Sequence, residues 1–178
     1  MNHMNKLLLI LRHIWLDSAD SHRLIPDDMA RRLTQRVAAS EARHSGEVRL
    51  CVEASLPLSC LWRLGSGTSL HTLTRYRAVH WFSRLGVWDT ESNNGVLIYL
   101  LLAERQIEFV ADRGLRTKVN HLQWQEIVNR LGSRLRMGAF EDGLTQALEE
   151  VSALLVNHFP VEAGTVNPDE LHNGVIRV

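Results

Sequence analysis

Apolar residues recur along this chain at two spacings, and the changes of spacing divide it into elements. In "NKLLLILRHIWLD", Leu7, Leu8, Leu11 and Trp15 fall on one side of a helical projection, which predicts an amphipathic helix docked on the body of the protein. Pro26 with Asp27 and Asp28 opens a second helix, with proline in its first turn and acids at its positive end. Met29, Leu33 and Val37 form its stripe, and it ends near His44-Ser45-Gly46. "EVRLCVE" then alternates, sending Val48, Leu50 and Val52 one way and Arg49, Cys51 and Glu53 the other, as a strand does. Pro57 and Gly65-Ser66-Gly67 mark a loop.

Leu70, Leu73, Arg77, Ala78, Trp81, Phe82 and Leu85 return to helical spacing. Gly95 to Leu102 is an unbroken apolar run, the pattern of a central strand covered on both faces. "QIEFVAD" follows too soon for a crossover helix, so these two strands form an antiparallel hairpin. Trp124, Ile127, Val128, Leu131 and Leu135 lie on a helix starting near Asn120, which Gly138 ends. The last helix runs from near Phe140 through Leu144, Ala147, Leu148, Val151 and Leu155. From Pro160 the chain is polar and reads as a loosely held tail.

The first and second strands cross over through a helix and should be parallel. The expected fold class is α/β: an α/β/α sandwich on a small mixed sheet, with helices on both faces. Residues 1–22 read as the amphipathic N-terminal helix, 23–160 as the α/β domain and 161–178 as the polar tail.

Composition narrows the function. With 178 residues, 45% of them hydrophobic, the chain can bury a sizeable core. Twenty basic and twenty acidic residues cancel, and no basic run carries interleaved aromatics, which argues against a nucleic-acid partner. The two cysteines, Cys51 and Cys60, suit no disulfide framework and are compatible with the cytoplasmic location expected for the chain. The apolar run Leu7 to Leu11 is far shorter than the about 20 residues of a membrane span, and no signal-peptide cleavage site follows it. Reversible membrane-surface contact through residues 5–16 is the alternative to docking.

The topology gathers polar residues at one end of the sheet. "HSGE" leads into the first strand, "WDTESNNG" leads into the second, and "ADRG" ends the third. Together they bring Glu47, Asp89, Glu91, Asn93, Asn94, Asp112 and Arg113 toward one place, beside Gly95 and Gly114. Hard cations such as calcium take carboxylate, amide and carbonyl oxygens, and an arginine can hold a phosphate or carboxylate with two bonds. The same residues also make a good turn, since Asn-Asn-Gly and Asp side chains satisfy local backbone amides. Ligands usually sit at the carboxyl ends of parallel strands, but here that end carries Ala54, Ser55, Leu56, Ala103 and Glu104, a poor set, so the opposite end is favoured.

Catalytic patterns are sparse. The chain contains neither a Gly-x-Ser-x-Gly elbow nor His-Glu-x-x-His. Cys51 reads as a buried structural residue. His44 is either a general base near Glu47 or a helix-terminal cation complementing the dipole. Arg75 and Arg77 are solvated, or Arg77, which falls on the apolar stripe, pairs with a buried carboxylate.

"SGEVRLCVEASLP", "LGVWDTESNNGVLIYLLLAERQIEFVADRGL" and "FEDGL" resemble the TPM domain family over about residues 5 to 160. The resemblance implies the same α/β sandwich. A plant thylakoid member is regarded as an acid phosphatase, and some bacterial members bind calcium. The family's Asp/Asn-Asn-Gly loop falls on Asn93, Asn94 and Gly95, and its Gly-x-Gly on Asp112, Arg113 and Gly114. Two positions depart from the family: Asn93 where metal-binding relatives often have Asp, and Asp112 in place of a glycine. The resulting expectations are a module for a divalent cation or a protein partner, a metal-assisted phosphatase using Arg113, or a membrane-associated scaffold.

Overall fold

The computed structural model describes residues 3–64, 68–161, 167 and 170–178. The chain runs α1 (His3–Trp15), α2 (Ser18–Leu24), α3 (Asp27–Glu41), β1 (Val48–Glu53), α4 (Leu58–Leu61) and α5 (Leu70–Arg84). It continues with β2 (Val96–Leu101), β3 (Gln106–Ala111), α6 (Arg113–Arg116), α7 (His121–Arg136), α8 (Phe140–His158) and β4 (Ile176–Arg177). The loop expected at Gly65-Ser66-Gly67 lies outside the described residues.

The sheet has the order β3-β2-β1-β4. β1 and β2 are parallel, with Val48 opposite Val96 and Glu53 opposite Leu101. β2 and β3 form the antiparallel hairpin, with Val96 opposite Ala111. Val48, Leu50, Val52, Val96, Ile98 and Leu100 face a core built with α3, α7 and α8. Cys51, Leu97, Tyr99 and Leu101 face a second core under α5, with contributions from Leu9 of α1 and Leu61 of α4. Every residue of β1 is buried, because helices cover both faces of an alternating strand. This is the expected α/β fold with a mixed sheet.

Helix ends follow local chemistry. Asn120 caps α7 by accepting the Gln123 N–H at 2.9 Å, and the Gln123 side chain accepts the Asn120 N–H in return. α2 was not expected from periodicity, yet it carries the same device: Asp17 accepts the Ala19 N–H and Asp20 accepts the Asp17 N–H. The boundary drawn after residue 22 falls inside this helix.

Two expectations are corrected. The tail read as loosely held returns to the sheet: β4 pairs parallel to β1, and the Ala54 N–H donates to Val178 O at 2.7 Å. Arg177 fastens it further, donating to the Ile25 carbonyl and to Asp27. The second correction concerns α1. Leu7, Leu8, Leu11 and Trp15, expected to dock, are exposed, and Leu9 and His13 are the buried residues instead. His13 accounts for the orientation. Its Nδ1 accepts the Leu56 N–H at 2.9 Å, so its Nε2 is the protonated nitrogen and donates to Glu104 at 3.1 Å. Arg12 adds a bond to the Ala103 carbonyl. Polar anchors thus set which side of α1 faces the body.

Candidate functional site

The amino ends of β1 and β2 and the end of β3 do meet. The Val96 N–H donates to Glu47 O at 2.8 Å, Asp112 N–H to Gly95 O at 2.9 Å and Gly114 N–H to Asn93 O at 2.9 Å. Within "WDTESNNG", Thr90 organises the turn: its carbonyl accepts the Asn93 N–H and its hydroxyl accepts the Asn94 N–H. Asn93 adopts φ +52°, a left-handed conformation that asparagine tolerates better than most residues. Its Oδ1 accepts the Arg113 Nε–H at 2.8 Å.

The other candidates are placed as follows. Asn94 is fully buried and donates to Ser45 Oγ at 3.1 Å. Asp112 caps α6 by accepting the Arg113 N–H at 2.6 Å. Glu47 is buried, and its Oε1 accepts the Glu170 N–H from the C-terminal segment. Glu170 in turn accepts the Glu91 N–H. The side chains of Asp89 and Glu91 are exposed. Thus the fold brings Glu47, Asn93, Asn94, Asp112 and Arg113 to one end and leaves Asp89 and Glu91 on the surface.

Two oxygens at this end stand out. Asn94 Oδ1 and Asp112 Oδ2 are shielded from solvent and have no hydrogen-bond partner among the described residues. Against a closed metal shell, no group of three or more His, Cys, Asp or Glu side chains among the described residues could hold an ion. The Arg113 guanidinium also occupies the Asn93 oxygen.

Gly95 and Gly114, expected near a ligand, have a packing role as well. A Cβ on Gly114 would lie 2.5 Å from Asn93 O and 2.8 Å from Ser92 O. One on Gly95 would lie 2.8 Å from Val87 Cγ1, with the Val87 carbonyl oxygen closer still.

Neither role expected of His44 survives. It is fully buried between the Gly46 carbonyl, to which Nδ1 donates at 2.9 Å, and Ser40 Oγ at 3.1 Å. Burial lowers its pKa to about 4, so at neutral pH it carries no charge for the helix dipole, and both its nitrogens are engaged. Cys51 is fully buried, and burial pushes its thiol far above the range in which a thiolate forms.

A model of the TPM domain matches residues 18–154. The chain belongs to the TPM domain family. Its fold is similar to the NMR structure of the BA42 protein from the psychrophilic bacterium Bizionia argentinensis, at 22% identity and a TM-score of 0.70, covering 85% of this chain and 94% of that one. It is also similar to the solution NMR structure of the N-terminal domain of a P. gingivalis protein, at 22% identity and a TM-score of 0.54, covering 83% and 94%. No curated protein matches.

In this TPM domain α1 precedes the matched residues, and it carries an exposed apolar surface. Leu7 and Leu8 are each 59% exposed and Trp15 83%, with Leu11 and Ile14 also open. Leu58 and Trp62, on and just after the neighbouring α4, are exposed too. α1 contains Lys6 and Arg12 and no acidic residue. No helix among the described residues is long and apolar enough to cross a membrane. Sequence reasoning found Leu7, Leu8, Leu11 and Trp15 but took docking on the body as the first reading of that face, and it did not single out Ile14, Leu58 or Trp62.

Proposed function

We propose that this TPM domain docks reversibly on an anionic membrane surface through α1. The carrying observation is the outward apolar face of Leu7, Leu8, Leu11, Ile14 and Trp15 on a helix that lacks acids. Contiguous exposed apolar patches mark binding surfaces, and helices with basic residues on one side and Trp and Leu on the other lie in the bilayer interface. Trp15 and Trp62 suit the headgroup layer, where an indole keeps one edge apolar and one edge wet. Two free cysteines fit a reducing, cytoplasmic face. Co-sedimentation with phosphatidylglycerol vesicles tests the reading. The intact chain should pellet, and Leu8→Asp with Trp15→Asp should leave it in the supernatant with its circular dichroism unchanged. Equal pelleting of both proteins would reject it.

A second reading is favoured by a separate observation, the two partnerless oxygens of Asn94 and Asp112. A divalent cation such as calcium would take them, with Glu47, Asn93 and the exposed Asp89 and Glu91 as the remaining candidates and water completing the shell. The phosphatase reading would add Arg113 as the group steadying phosphoryl oxygens, although its Nε already serves Asn93.

A further inference from the structure

A cleft lies at the carboxyl end of β2, away from the polar loop cluster. It encloses about 810 Å³ between α2, the β2–β3 hairpin and α7. That volume is typical of small-molecule sites. Leu100, Leu102, Ile107, Val128 and Leu135 supply an apolar floor. The charged residues of the lining are Asp20, Arg23, Arg105 and Arg136, one acid against three bases, a net charge of +2. Asp20 is already engaged, with Arg23 at 2.8 Å and the Asp17 N–H at 3.1 Å. Arg136 donates to Ser133 Oγ, and neither Arg105 nor Arg136 has a carboxylate partner among the described residues. In a chain of zero net charge, this concentration of unpaired positive charge beside an apolar floor is selective.

Two backbone features point the same way. Arg105 sits at φ +51° in the hairpin turn, where glycine or asparagine would relieve the strain. An arginine held there at a cost is accounted for if its guanidinium serves the cleft. Gly132 lies inside α7, where glycine is a poor helix former. Packing does not demand it, since a Cβ would meet Arg136 Nη1 at 3.4 Å and Ile107 Cδ1 at 3.5 Å, both side-chain ends. The missing side chain leaves room along the cleft wall.

We propose that this cleft binds an anionic single-chain amphiphile, its hydrocarbon tail on the floor of Leu100, Leu102, Ile107 and Val128 and its head group held by Arg105 and Arg136. The tail would be drawn by burial of apolar surface and the head by charge-assisted hydrogen bonds from two guanidinium groups. The site is separate from α1 docking, and a water-soluble probe distinguishes the two.

The experiment titrates the full chain with dodecanoate, below its micellar concentration, by calorimetry and amide NMR. Saturable one-to-one binding is expected, with shifts concentrated at Ile107, Gly132 and Ser133. Octanoate should bind more weakly, by about fourfold for each methylene removed. Arg105→Gln with Arg136→Gln should weaken dodecanoate at least tenfold. Both arginines are exposed, so the double variant should fold. Gly132→Leu, which fills the wall, should weaken it similarly, and Gly132→Ala keeps the test open if leucine prevents folding. Dodecanol should bind at least tenfold less tightly than dodecanoate. No saturable binding, equal affinity for dodecanol, or affinity unchanged by the arginine substitutions would each overturn the proposal.

Discussion

Arg77 of α5 grips Glu53 of β1 with two donors, Nε at 2.9 Å and Nη2 at 2.6 Å. The carboxylate also accepts the Trp81 indole N–H at 3.0 Å and the Tyr99 hydroxyl at 2.5 Å. The Arg77 guanidinium lies 5.2 Å from the Trp81 ring centroid. Both side chains of the pair are largely buried. Losing one partner would leave the other charge stranded. Arg77→Ala should therefore destabilise the fold by about 3 kcal/mol, read as a lower urea midpoint. Arg77→Lys should recover little, because a lysine cannot reproduce the fork. Glu53→Gln combined with Arg77→Met should be more stable than Arg77→Ala, since no unpaired charge remains. If Arg77→Ala melts like the wild type, the pair contributes nothing.

This pair also marks how far the sequence could be read. Arg77 falls on an apolar stripe and Glu53 on one phase of an alternating strand, so periodicity left a buried carboxylate partner for Arg77 as one of two readings, without naming Glu53. The three principal strands and the hairpin were legible for the same reason. β4 was not: two residues long, it joins by backbone bonds that leave no periodic trace. The apolar side of α1 was visible, but its direction depends on His13 meeting Leu56 and Glu104, distant contacts that no local pattern records. The carboxyl end of the sheet looked poor because only residues adjoining the strands were weighed. Its arginines come from α2, the hairpin turn and α7, and only folding gathers them.

Three glycines separate close packing from helix preference. Gly95→Ala and Gly114→Ala would drive a methyl into backbone atoms that cannot swing aside. Each should cost about 3 kcal/mol or prevent folding. Gly132→Ala meets only side-chain ends and gains helix propensity, so it should raise stability by up to about 1 kcal/mol. Thermal melts of the three variants give the order, and a neutral Gly95→Ala would contradict the packing described for the loop.

His44 should make folding sensitive to mild acid. In the unfolded chain a histidine takes its proton near pH 6.5, whereas burial holds His44 in the fold at about 4. Between those values the unfolded state binds the extra proton. Stability is therefore full above about pH 6.5, falls as pH drops towards 4 and then levels off. The loss by pH 4 is on the order of 3 kcal/mol. Denaturant midpoints from pH 7 to 4 should show the decline for wild type, and His44→Gln should flatten it. Parallel profiles for the two proteins would mean that His44 is not the group responsible.

The partnerless oxygens of Asn94 and Asp112 predict a response to divalent cations. Chelator-stripped protein should gain stability in millimolar calcium, magnesium or manganese. A cation at 100 times its dissociation constant adds about 2.7 kcal/mol, roughly 5–10 °C for a domain of this size. Asp112 also caps α6 through Oδ1, so its removal by alanine would mix two effects. Asp112→Asn keeps an oxygen for the cap and removes the charge. That variant should melt near the wild-type temperature without metal and lose most of the shift with it. Asp89→Asn, at an exposed candidate ligand, should reduce the shift less than Asp112→Asn does. If no cation moves the wild-type transition, the loop is a turn held by Thr90, Asn93 and Arg113, and α1 and the cleft become the surfaces through which this TPM domain works.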